Sequence, residues 1–242
     1  MNALRVENLS VEVSGKRVLE GVDLEIPKGE FHVLFGPNGS GKTSLIMSVL
    51  GFWNYNVVSG RIFFNGIDVT YMPIDERVKL GIGAAFQNPP TIRGVKLGDI
   101  VRSFIKPHVT NESVLSRMVN FSPEFFERDL NLGLSGGEMK RSEILQALVQ
   151  KPEFLILDEP DSGVDVENLE LIGKLLNGFL KGRSGLLITH LGSILRYVQT
   201  DKAHVMLNGT IRCSGKTIEI LDHILREGYG WCERCPRIRR ER

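Results

Sequence analysis

FHVLFGPNGSGKTSLIMSVL, Phe31 to Leu50, decides how this chain folds. The opening FHVLF is a short dense run suited to a strand buried on both faces. The closing SLIMSVL reads as a helix. Between them GPNGSGKT matches G-x-x-x-x-G-K-[ST] in the context that pattern needs, strand before and helix after. Its glycines let the backbone curl until successive N–H groups converge on phosphate oxygens, and the helix N-terminus adds favourable partial charge. Gly36, Pro37, Asn38, Gly39, Ser40, Gly41, Lys42, Thr43 and Ser44 are therefore the candidate triphosphate-binding residues. Lys42 is placed to reach the β- and γ-phosphates and the Thr43 hydroxyl to ligate Mg²⁺.

Downstream, FLILDEP (Phe154 to Pro160) is a buried strand that ends in two carboxylates, Asp158 and Glu159. In open α/β sheets ligands bind outside the carboxyl edge of the strands. Asp158 is expected to hold Mg²⁺ through water, and Glu159 to orient and activate an attacking water. GLLIT (Gly185 to Thr189) is a further buried strand. Between the two, Ile172, Leu175, Leu176, Phe179 and Leu180 form one apolar helix face. Strand, helix, strand in this order implies parallel pairing with helical crossovers. LSGGE, Leu134 to Glu138, opens another helix, and its Ser135 and Gly137 belong to a second anion site made of backbone amides. One chain has no second triphosphate to offer it, so the economical arrangement is two chains sandwiching two nucleotides.

The remaining pattern frames this core. Leu9, Val11 and Val13, then Val22, Leu24 and Ile26, alternate as half-buried antiparallel strands. RIFF with Asn65–Gly66, and HVML with TIRC across Asn208–Gly209, read as hairpins. From about Asn88 to Gln150 the pattern turns mainly helical, a lobe inserted between core strands. The expected division is a catalytic domain over residues 1–230, with the lobe at about 88–150, and a basic tail over 231–242. Lys+Arg 30 against Asp+Glu 29 argues against a dedicated nucleic-acid binder. No apolar run approaches the ~20 residues a spanning helix needs, so direct membrane insertion is not expected. The N-terminus shows no export signal, and three cysteines fit a reducing, cytoplasmic interior. Cys232 and Cys235 form C-x-x-C, two ligands where a tetrahedral metal site takes four. An exposed tail is the plainer reading. Arg237, Arg239, Arg240 and Arg242 likewise read as a solvated terminus.

Taken in order, GPNGSGKT, LSGGE and LILDE resemble the phosphate loop, signature and magnesium strand of the ATP-binding-cassette ATPases. The resemblance covers about Leu4 to Gly215. It implies an α/β P-loop NTPase fold: a parallel-sheet core, an antiparallel N-terminal β-subdomain and an inserted α-helical lobe. It also implies Mg²⁺-dependent hydrolysis of ATP and ATP-dependent pairing of two chains. Gln87, in AAFQNP, matches the lobe-linking glutamine that senses Mg²⁺ and the γ-phosphate. Asp165, in DSGVD, matches the aspartate of the dimer interface, and His190, ending LLITH, the switch histidine at the γ-phosphate. The segment VEVSGKRV lacks the aromatic that many such ATPases stack on adenine, which leaves an aliphatic contact through Val13 or Val18.

Further stretches resemble one non-transport branch, the SufC-type ATPases of iron–sulfur cluster assembly. They include AAFQNPPTIRGV, NLGLSGGEMKRSEILQ, LDEPDSGVD, ITHLGSILRYV and GYGW. The partners so implied are SufB-type and SufD-type scaffold proteins, with the ATPase as a homodimer or a scaffold-held pair. Pro160 departs from that branch, and DEP is what transporter ATPases usually read. The nucleotide-binding subunit of a membrane transporter is the alternative.

Overall fold

The computed structural model describes residues 1–87, 89–105, 112–190 and 192–233. Two long strands, β1 (Asn2–Val13) and β2 (Lys16–Pro27), pair antiparallel through a Ser14–Gly15 turn in which both residues have positive φ. β1 starts well before the alternation at Leu9. Leu4 and Val6 also point inward, and a register shift beside Asn8 (φ 43°) resets the phase. β3 (Phe31–Phe35) is buried at every residue and leads through the glycine loop into α1 (Lys42–Leu50). β4 (Asn56–Phe64) returns to β1 and turns at Asn65–Gly66 into β5 (Ile67–Asp68), as the hairpin signal predicts. α2 (Ile74–Lys79) and β6 (Ile82–Ala85) follow.

The lobe then contains β7 (Ile92–Lys96), α3 (Leu97–Phe104), α4 (Glu112–Val119), β8 (Asp129–Leu130) and α5 (Gly136–Val149). It carries a short β7–β8 ladder that the sequence pattern did not announce, because Ile92 to Lys96 has no alternation. β9 (Phe154–Asp158), α6 (Val166–Leu180) and β10 (Ser184–Ile188) make the expected crossover. β11 (Lys202–Leu207), β12 (Thr210–Gly215) and α7 (Thr217–Glu227) complete the chain up to a short helix at Gly230–Glu233.

The order β12-β11-β3-β10-β9-β6 forms a six-stranded sheet, parallel except at the β11–β12 hairpin, beside an antiparallel sheet β2-β1-β4-β5. Successive residues of the central strands feed opposite cores. Val33, Leu155, Leu157, Leu187 and Val205 face the lobe, α6 and α7; Leu34, Ile156, Leu186 and Met206 face α1 and the antiparallel sheet. That two-sided burial is why these strands read as continuous apolar runs. His32 and His204 lie within it, bonded to each other at 2.9 Å and to Glu30 and Ser214, as structural histidines. Cys232 is fully buried and Trp231 packs on the core, so the folded body runs past Gly230 rather than ending there. Cys235, Arg237, Arg239, Arg240 and Arg242, like the lobe's first residue Asn88, lie outside the described residues. Among those described, no helix is long and apolar enough to cross a membrane.

Candidate nucleotide site

The loop after β3 is shaped by what its glycines alone permit. A Cβ on Gly36 would sit 2.5 Å from the Met206 carbonyl oxygen and 2.6 Å from Ser40 Oγ. Gly39 and Gly41 adopt φ of +78° and +107°, a region L side chains avoid. The loop is propped from behind by the β11–β12 turn, where the Gly209 N–H donates to the Ser40 carbonyl at 2.8 Å. Lys42, buried at the start of α1, folds back so that Nζ donates to the carbonyls of Gly36 (2.7 Å) and Pro37 (3.0 Å). Burial lowers its pKa, while Glu159 and Asp158 pull it back up. Ser40 Oγ is buried without a protein partner. A curled loop of backbone donors, a lysine and an orphaned hydroxyl suit an oxyanion.

The carboxylates arrive from β9. Burial, and then the neighbouring charge of Glu159, push Asp158 up to about 6; Lys140 and Lys42 oppose the rise. Glu159 is in the left-handed region (φ 48°), a conformation costing a non-glycine residue ~1 kcal/mol or more. Its N–H is held by the Ile188 carbonyl at 2.9 Å. Its carboxylate accepts from Gln87 Nε2 at 2.7 Å and lies 3.3 Å from His190 Nδ1. That His190 contact is a proximity only, since Nδ1 makes no hydrogen bond. Two crowded carboxylates, one of them driven toward its neutral form, are relieved by a divalent cation. The oxygen donors Asp158, Thr43 and Gln87 suit Mg²⁺, which takes few protein ligands beside phosphate.

One cavity of about 940 Å³ collects Asn38, Gly39, Ser40, Gly41, Lys42, Thr43, Ser44, Gln87, Glu159 and His190. Gly36 and Pro37 form the loop's entry and Asp158 sits behind Glu159. The far wall is β2 from Lys16 to Glu20, so Val18 lines the cavity and Val13 does not. Ser135, Gly137 and Asp165 are gathered elsewhere. Ser135 caps α5 reciprocally with Glu138, and Asp165 caps α6 through the Asn168 N–H. The two caps pack together: a Cβ on Gly137 would meet the Asn168 side chain at 2.5 Å, and one on Gly136 the Gly163 carbonyl at 3.0 Å. Ser135 and Asp165 are exposed.

Two supports escaped the sequence reading. Lys140 Nζ donates to the carbonyls of Phe86 and Gln87, both at 2.8 Å, and pairs with Glu143 at 3.4 Å. Glu143 also accepts from the Phe86 N–H, and burial pushes it up to about 7. The signature helix thus grips the Gln87 segment. Buried Asp161 accepts from Thr189 Oγ1 at 2.9 Å and fixes the turn that carries His190. Lys140 and Asp161 lie in stretches that carry the resemblance, but neither motif shows what the side chain holds in the fold.

Known proteins share this fold. A family model described as ABC transporter matches residues 19–162. Vegetative protein 296 of Bacillus subtilis (strain 168) is 39% identical over 243 residues, covering 95% of this chain and 93% of its own. A probable ABC transporter ATP-binding protein of Streptococcus pyogenes serotype M18 is 35% identical, covering 95% and 94%. The solved ADP conformation of an ATP-binding cassette of an ABC transporter superposes with a TM-score of 0.75 at 28% identity, covering 94% and 96%. The family match spans more than half the chain and the relatives nearly all of it, so the chain belongs to the ABC transporter family and is one of its Mg²⁺-dependent, ATP-hydrolysing ATPases.

Proposed function

We propose that ATP hydrolysis by this chain drives rearrangement of a SufB-type scaffold, with a SufD-type companion, in iron–sulfur cluster assembly. The chain works in the cytoplasm as a homodimer or scaffold-held pair. Residues 36–44 wrap the triphosphate, with Lys42 on the β- and γ-phosphates. Thr43, Asp158 and Gln87 would hold Mg²⁺, which neutralises phosphate charge. Glu159 takes a proton from the water that attacks the γ-phosphorus. The new oxygen–phosphorus bond forms as the bond to ADP breaks, and His190 stabilises the departing γ-phosphoryl oxygens. Ser135, Gly137 and Asp165 complete the site of a second copy. Glu159→Gln is expected to lower kcat at least ~10²-fold with ATP binding retained, and Lys42→Ala to weaken binding itself. Turnover and equilibrium nucleotide binding separate the two.

The observation that carries the choice of partner is the stretch Asn131 to Gln146. It is among those most like the SufC-type ATPases, and its Lys140 and Glu143 also grip the Gln87 segment. A scaffold that moves the lobe would therefore move Gln87. Exposed apolar residues support docking of some partner: Trp53 is 92% and Tyr71 82% exposed, and Ile74 and Val78 of α2 are exposed as well. Tyr55 instead packs inward. A second reading, the ATPase subunit of a membrane transporter, is favoured by Pro160 and by the printed name of the streptococcal relative. Affinity capture of the tagged chain from its native host distinguishes them. A soluble SufB-type protein is expected; a membrane permease in its place would establish the second reading.

A further inference from the structure

We infer that Tyr229 is a positioning residue for ATP hydrolysis, holding the His190 backbone so that the imidazole meets the γ-phosphate. The inference rests on the role given above to His190. Tyr229 Oη donates to the His190 carbonyl at 3.0 Å, across 39 residues of chain. The backbone of Gly36, first residue of the phosphate loop, also acts on the phenol, opposing the rise that burial causes. The phenol therefore bonds the residue that reads the triphosphate's outer end, close to the loop that grips it.

The imidazole needs such a tie, because Nδ1 makes no hydrogen bond of its own and the side chain is about one third exposed. Its place is set by the backbone that carries it. On one side that backbone is fixed by the Thr189 N–H on the Leu34 carbonyl and by Thr189 on Asp161. On the other side the contact is Tyr229. The tyrosine is itself anchored. α7 ends at Gly228 (φ +68°), the Cys232 N–H returns to the Tyr229 carbonyl at 3.0 Å, and Trp231 stacks on His223 at 3.9 Å. Cys232 is fully buried beneath the turn. Burial pushes the phenol up to about 12, so it stays a neutral donor throughout the working range.

The test is a double-mutant cycle on the full chain with MgATP, measuring kcat, KM and thermal melting. Tyr229→Phe keeps the ring and its packing and removes only the hydroxyl. It is expected to lower kcat about three- to tenfold, the scale of one neutral hydrogen bond, with KM for ATP and the melting temperature nearly unchanged. His190→Ala is expected to lower kcat further, and adding Tyr229→Phe to it to change nothing more. Equal losses from Tyr229→Phe with and without His190, or a wild-type kcat in Tyr229→Phe beside a crippled His190→Ala, would overturn the inference alone. A wild-type kcat in His190→Ala would overturn the role of His190 and the inference with it.

Discussion

Asp158 shows how a motif residue acquires chemistry that its letter does not contain. Its folded-state pKa of about 6 lies above the ordinary 3.8, so the native protein holds the proton more tightly than the unfolded chain does. The stabilisation from that protonation is complete below about pH 4 and is lost as pH rises through about 6. At pH 8 the ionised, buried carboxylate works against folding by on the order of 2–3 kcal/mol. Asp158→Asn is therefore expected to raise the melting temperature of nucleotide-free protein by about 4–8 °C at pH 8 and to leave it nearly unchanged at pH 4. The same variant is expected to lose Mg²⁺-dependent hydrolysis. Thermal melts at the two pH values check the sign: a less stable variant at pH 8 would mean that Lys42 and Lys140 attract the carboxylate more than burial penalises it. The residue was visible at the end of FLILD. Its perturbation was not, because that depends on Lys140, Lys42 and the depth of β9.

At the level of elements, α5 matters most. Its start was written in LSGGE, since Ser135 and Glu138 make a capping box. Its further role was hidden because the helix is buried around most of its surface and carries charge inward, so no apolar stripe marks it. Lys140 there compensates Glu143 and satisfies two carbonyls of the Gln87 segment. Lys140→Met strands a buried carboxylate and is expected to cost about 3 kcal/mol, a fall of roughly 6–12 °C in melting temperature. Hydrolysis per folded chain is expected to fall as well, because Gln87 loses its hold. An unchanged melt would show that Glu143 is neutral there and needs no partner. Legibility elsewhere followed volume and pattern. β3, β9 and β10 stood out because every residue is buried, whereas β6, IGAA, did not. Its small residues admit a close neighbour: a Cβ on Gly83 would sit 2.8 Å from Pro152.

The whole molecule keeps the phosphate loop and the residues proposed to complete a second copy's site apart within one chain. The phosphate loop, Gln87, Glu159 and His190 share a cavity, while the exposed Ser135 and Asp165, with the buried Gly137, lie on the packed starts of α5 and α6. One solved ATP-binding cassette of this fold is dimeric in a post-hydrolysis state with ADP and Pi. For the pairing proposed above, a rate consequence follows. On that proposal an isolated copy offers the γ-phosphate only part of its donors. Closure of a second copy adds a hydroxyl and backbone amides, all neutral, so the gain is expected to be roughly 10–100-fold. It should stay below the 10³–10⁵ of an arginine supplied in trans. Turnover per chain is therefore expected to rise with protein concentration. Glu159→Gln, which binds ATP without consuming it, is expected to double its mass in light scattering with MgATP and not with MgADP. Ser135→Arg, which places a bulky charge at the start of α5, is expected to abolish both effects while ATP still binds. Turnover that stays flat across a wide dilution series, together with monomeric Glu159→Gln at saturating ATP, would mean that each copy completes its own site and that Ser135 and Asp165 serve another purpose.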